Sequence, residues 1–233
     1  MTNTVDKKCF ILIGLKKISL SVLNSKKQFL YTKEILIDDL SIEENFQTLE
    51  KFLNKNIFEI EKKLKSYIKE VFIIVDYKNF FSVDLSFKHN FEGIEFNLDS
   101  MTNSLIDIKN QFKKNTTEDK IIHMMIKKYI IDENVYSLLP STIGFNHLSL
   151  EIQFICIKDN IVGNLKKIFS NYEISANTIL CHDYLKTFDS SENKNIFIIA
   201  DNVLNGFNPN EIFLINKSIK NEGFFEKFFD FFN

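Results

Sequence analysis

The sequence predicts an α/β (α+β) fold with two small units of strands and helices, followed by an amphipathic helix at the carboxyl end. Two observations predict it. Strand-like apolar runs alternate with helix-period segments from residue 9 to 182, and residues 223–233 place phenylalanines on one helical face. The 233 residues are 45% hydrophobic and 26% charged, which is typical of a folded protein with a buried core.

The first unit is predicted over residues 1–94, in the order β-β-β-α-β-β. Apolar residues recur at every third or fourth position from Phe46 to Ile68, which predicts a long amphipathic helix. The run 71–75 is continuously apolar, as expected of a strand covered on both faces. Strands are predicted at 9–15, 18–23, 28–37, 71–75 and 80–87.

The second unit is predicted over residues 95–182, in the order α-β-β-β-α-β. Leu105, Ile108 and Phe112 share one side of a helix expected at about 100–113, and a second helix is expected at 159–172. Its strands are predicted at 121–131, 135–139, 148–157 and 175–180. Residues 183–222 are expected to supply closing strands at 196–200 and 211–215 and a polar linker.

Composition argues against several kinds of chemistry. All 29 basic residues are lysine, so no arginine can clamp a phosphate, and a net charge of −2 does not favour nucleic acid as a partner. The six glycines are isolated, so no glycine-rich phosphate loop is expected. We therefore predict no catalytic residue, no cofactor and no enzyme activity.

The histidines and cysteines show no metal-ligand spacing. His89, His123, His147 and His182 lie far apart in the sequence, so no metal site is predicted. His182 follows Cys181, but neighbours in sequence seldom face each other, and we interpret it as a surface histidine. Three cysteines in a chain without a signal peptide predict reduced thiols and a cytoplasmic location; they are Cys9, Cys156 and Cys181.

The last residues, GFFEKFFDFFN, have the pattern of a membrane-surface helix. On a helix, all the phenylalanines fall within an arc of roughly 160° and the charged residues lie opposite. The membrane-binding phenylalanines are Phe224, Phe225, Phe228, Phe229, Phe231 and Phe232. Lys217 and Lys220 precede them and could contact anionic headgroups. The alternative is that this helix docks into the protein's own core or a partner's groove.

Two segments resemble FtsA, the actin-like family that ties the bacterial division ring to the membrane. ILIGLKKISLSV is similar to that family's first strand pair, although Gly14-Leu15 leads almost directly to Lys17-Ile18, where the family has a phosphate loop. Ile131-Asp132, Pro140, Gly144 and Leu148 match positions in the family's inserted SHS2 module. The family also ends in an amphipathic membrane-targeting helix, which the phenylalanine-rich tail resembles.

The resemblance implies a truncated actin-like sheet subdomain with an SHS2-like module. We expect a reduced form without the nucleotide-binding half: a non-catalytic adaptor, peripheral on the inner face of the cell membrane, that recruits division proteins and could self-associate. Lys127, Lys128 and Asn146 are candidate partner-binding residues of the module. Two alternatives stay open: a divergent nucleotide-binding actin-like protein, and a pilus or secretion assembly protein of related fold.

Overall fold

The structure is a computed structural model that describes residues 7–37, 42–78, 80–90, 98–140, 147–189 and 195–212. These residues form a mixed α+β fold, which confirms the predicted class. The strands are β1 Lys7–Ile13, β2 Lys17–Asn24, β3 Phe29–Leu36, β4 Glu70–Val75, β5 Phe81–Asn90, β6 Asp119–Ile131, β7 Asn134–Tyr136, β8 His147–Lys158 and β9 Ser175–Cys181. The helices are α1 Ile42–Leu64, α2 Leu98–Asn115, α3 Asp159–Ser170, α4 His182–Lys186 and α5 Ile196–Leu204.

The first sheet has the strand order β3-β2-β1-β4-β9. Antiparallel pairing of β1 with β2 and of β2 with β3 confirms the predicted three-stranded meander. β4 then pairs parallel with β1, and β9 pairs parallel with β4. Parallel neighbours end at the same edge of a sheet, so the carboxyl ends of β1, β4 and β9 lie side by side.

Helices cover the central strands of this sheet. Every residue from Cys9 to Ile13 is buried, which requires cover on both faces because alternate side chains point in opposite directions. On one face, the ring centroid of Phe10 lies 5.3 Å from that of Phe72 and 6.4 Å from that of Phe197 in α5. The apolar stripe predicted for α1 is buried at Leu49, Phe52, Leu53 and Ile60.

Residues 196–200, predicted as a strand, instead begin the helix α5. The prediction was wrong because a short apolar run without periodicity fits a buried helix as well as a strand. The Asn195 side chain caps this helix by accepting a hydrogen bond from the Phe197 N–H at 3.0 Å. Lys8 holds α5 against β1, since its Nζ lies 2.7 Å from Oδ1 of Asp201.

The second sheet has the strand order β5-β8-β6-β7. The chain turns from β6 into β7 through Asp132 and Glu133, whose φ angles of 44° and 72° lie in the left-handed region that tight hairpins require. Helix α2 packs on this sheet, and the ring centroid of Phe112 lies 4.9 Å from that of Phe154 in β8. The prediction that Leu105, Ile108 and Phe112 share the packed side of the helix is confirmed.

Two strands belong to different sheets from those expected. The sequence predicts that the strand at 80–87 belongs to the first unit, but β5 lies in the second sheet beside β8. The strand predicted at 175–180 was expected to close the second unit, but β9 pairs with β4. One compact unit accordingly comprises the described residues up to Phe81 with Ile157–Asn205; the other comprises Ser82–Cys156 with the described residues from Gly206.

Candidate functional site

The candidate site lies where the parallel strands of the first sheet end. Ile13 of β1 is the register partner of Val75 in β4, and Val75 is in turn the partner of Cys181 in β9. The next residue on each strand is therefore brought to one edge of the sheet. These three residues are Gly14, Asp76 and His182.

Gly14 opens a tight turn between β1 and β2. Its N–H donates a hydrogen bond to the Lys17 carbonyl oxygen at 2.9 Å, so Leu15 and Lys16 alone form the tip. A Cβ at position 14 would lie 3.3 Å from the Lys17 oxygen and 3.5 Å from Oδ2 of Asp76. The Lys17 backbone oxygen is closer than most Cβ atoms tolerate, which explains why the position suits glycine.

Asp76, His182 and Asp183 form a cluster beside this turn. Nδ1 of His182 lies 2.8 Å from Oδ1 of Asp76, and the two side chains are 13% and 31% exposed. The contact is not aligned as a hydrogen bond, and this buried nitrogen has no hydrogen-bond partner among the described residues. Each of the three residues offers one ligand atom within 4.8 Å of the others, so the cluster could hold a metal ion.

Sequence reasoning missed this cluster because its members follow two strands, β4 and β9, that are far apart in the sequence. His182 is half-buried against Asp76 rather than a surface residue, which corrects the expectation. The adjacent Cys181 thiol is buried, and burial raises its pKa, so it stays protonated at neutral pH.

A cavity of about 430 Å³, lined by both polar and apolar side chains, lies next to the cluster, and His182 contributes to its wall. Two serines of β2 that are buried in the fold, Ser19 and Ser21, also line it. Lys17 and Glu34 also line the cavity, and Nζ of Lys17 lies 3.6 Å from a carboxylate oxygen of Glu34. The lining thus offers hydroxyl groups and one neutralised charge pair, rather than the unpaired positive charge that a polyphosphate needs.

The candidate partner-binding lysines lie on the second sheet. Nζ of Lys127 is 3.5 Å from Asp84, and Nζ of Lys128 is 2.8 Å from Glu151. Both lysines are exposed and belong to a mixed-charge surface formed by β5, β6 and β8. Asn146, Lys217, Lys220 and the six tail phenylalanines lie outside the described residues.

No helix among the described residues has the length and apolar character needed to cross a membrane. No protein-family model matches the sequence, and no curated protein matches it either.

Three solved structures resemble the chain at low sequence identity. A "PilM-PilN type IV pilus biogenesis complex" has 8% identity and a TM-score of 0.48, and covers 78% of this chain and 49% of its own. A Bacteroides thetaiotaomicron protein, described as having an actin-like ATPase fold and unknown function, has 17% identity and a TM-score of 0.32, with coverages of 80% and 57%. The ethanolamine utilization protein EutJ from Carboxydothermus hydrogenoformans has 8% identity and a TM-score of 0.27, with coverages of 87% and 68%. The chain spans about half the length of the pilus protein that it resembles.

Proposed function

We propose that this protein is a non-catalytic, actin-like adaptor that attaches to the inner face of the cell membrane and recruits cell-division proteins. The observation that carries the proposal is the closed turn between β1 and β2. The resemblance to the FtsA family places a phosphate loop at this point, and here the turn is shut by its own hydrogen bond.

The closed turn leaves few hydrogen-bond donors or positive charges that could bind a nucleotide phosphate. A phosphate loop presents free backbone N–H groups to the ligand, whereas the Gly14 N–H is already bonded to Lys17. The Asp76 carboxylate lies against the same turn and would repel a phosphate. With no arginine in the chain, the site cannot compensate with a bidentate clamp.

Calorimetric titration of the full chain with ATP and magnesium tests this part of the proposal. We expect no binding in the micromolar range. Micromolar binding would instead favour a divergent nucleotide-binding protein. An Asp76→Asn variant is the matched comparison: because the Asp76 carboxylate repels a phosphate, tighter binding in that variant would place the nucleotide at this edge of the sheet.

The tail supplies the proposed membrane attachment. Burial of one phenylalanine contributes roughly 1.5–3 kcal/mol, whereas ordering each residue costs about 1–2 kcal/mol. One short helix therefore binds lipid weakly, and several copies held together bind far more tightly through their effective concentration. Lys217 and Lys220 add attraction to anionic headgroups, about 1 kcal/mol each near the surface.

The proposed role in division is tested by the position of a fluorescent fusion in dividing cells. We expect the fusion at the division site, with its membrane signal dependent on residues 223–233. A fusion that instead follows a pilus or secretion assembly would support the alternative of an assembly protein of related fold.

A further inference from the structure

We propose that Asp76, His182 and Asp183 bind a divalent transition-metal ion that joins the end of β4 to the start of α4. This inference concerns the first unit alone and does not depend on the membrane or division role.

The register of the sheet creates the cluster. Val75 and Cys181 are partners across β4 and β9, so the residues that follow them emerge next to each other. Asp76 follows β4, while His182 and Asp183 follow β9 at the start of α4. Two neighbouring chain segments thereby supply one imidazole and two carboxylates to the same point.

The His182 nitrogen gives independent support for a ligand. Nδ1 is shielded from water and has no hydrogen-bond partner among the described residues, although it lies 2.8 Å from a carboxylate oxygen. Leaving a buried polar atom unpartnered is costly, and buried polar groups nearly always have a partner. A cation between Nδ1 and the Asp76 carboxylate would give both atoms a partner at once.

Only small side-chain movements are needed to bring the three ligand atoms to the separations found around a bound metal ion. Metal–ligand bonds of about 2.0–2.2 Å place tetrahedral ligand atoms about 3.4 Å apart. The three ligand atoms already lie within 4.8 Å of one another. The Asp183 side chain is 76% exposed, and its pair with Lys186 at 3.4 Å lies at the surface, so it can turn inward at little cost.

The donor set selects the kind of cation. Two carboxylates and a neutral imidazole balance a charge of +2, and imidazole suits zinc, cobalt or nickel better than magnesium, which prefers oxygen ligands. Three protein ligands would leave a fourth position for water in a tetrahedral site.

Titration of the metal-stripped full chain with Zn²⁺ alone tests the proposal, with Co²⁺ absorbance reporting the ligand geometry. We expect one equivalent to bind in the micromolar range and to raise the melting temperature. His182→Gln and Asp183→Asn should each weaken binding by about tenfold or more. Asp183→Asn changes an exposed residue, so it separates loss of a ligand from loss of the fold.

His147→Gln is the matched control, because His147 is exposed at the start of β8 and belongs to the other unit. That variant should bind Zn²⁺ as the unaltered chain does. The proposal is overturned if the unaltered chain binds no Zn²⁺ in the micromolar range, or if one equivalent still binds with unchanged affinity after His182→Gln.

Discussion

Nδ1 of His123 lies 2.6 Å from a carboxylate oxygen of Glu211, and both side chains are 1% exposed. The pair joins β6 to the segment that leads to the carboxyl end of the chain. Backbone hydrogen bonds from Ile126 to Asn210 at 2.9 Å and from Ile212 to Met124 at 2.8 Å flank it. Of the strand predicted at 211–215, the described residues 211 and 212 lie beside β6, with an isolated bridge between Met125 and Glu211.

Removing one member of this buried pair should destabilise the second unit. Glu211→Ala leaves a buried imidazole nitrogen without its carboxylate, and loss of a buried hydrogen-bonding partner costs about 1–3 kcal/mol. Urea denaturation measures the change in the free energy of unfolding. Asp84→Asn, which removes the exposed pair with Lys127, is the control and should cost less than about 1 kcal/mol. Equal effects of the two substitutions would contradict the structural role of the buried pair.

Stability should fall at alkaline pH because burial raises the pKa of several acidic groups. Burial raises the pKa of the Cys9 and Cys156 thiols from 9.0 to about 12. It raises the pKa of the Tyr129 hydroxyl from 10.0 to about 12. The unfolded chain loses these protons first, so the stabilisation is complete below pH 9 and disappears as the pH rises toward 12.

Cys9→Ala isolates the contribution of one thiol. This variant should lose about 1 kcal/mol less stability between pH 8 and pH 10 than the unaltered chain, as measured by urea unfolding at each pH. An identical pH dependence in both proteins would show that Cys9 does not contribute to the loss of stability at alkaline pH.

A separate assay measures the reactivity of the thiols. The folded chain should react slowly with a thiol reagent at pH 8, since thiolate is the reactive form.

The exposed charged surface of the second sheet should contact a division protein. A photo-crosslinking residue in place of Lys127 or Lys128 should capture that protein in dividing cells. The same residue in place of Lys51, which is exposed on α1 of the first unit, is the control and should not. Equal capture from all three positions would argue against a binding surface at the two lysines.

Much of the fold follows from local pattern. The helix-period stripe of α1 and the alternation of Leu148, Leu150 and Ile152 in β8 each identify their element from sequence alone, because burial of one face imposes the period. The pairing partners of β5 and β9 could not be predicted in this way. Strand order depends on contacts between distant parts of the chain, which a single sequence does not display.

The candidate site was predictable only in part. The short link from Gly14 to Lys17 in the sequence indicated a missing phosphate loop, and the structure places a closed turn there. The Asp76–His182–Asp183 cluster left no motif, because its spacing is set by the register of two strands rather than by helical or turn geometry. A useful signal would have been a polar residue directly after each of two apolar strands.

The phenylalanine-rich tail should attach the protein to a membrane surface, and vesicle flotation measures this attachment. The full chain, a form lacking residues 223–233, and a Glu226→Gln/Asp230→Asn variant that alters only the polar face are mixed with vesicles containing anionic lipid. We predict that the full chain and the polar-face variant float with the vesicles and that the shortened form stays at the bottom of the gradient. Flotation of the shortened form to the same extent as the full chain would contradict membrane attachment through the tail.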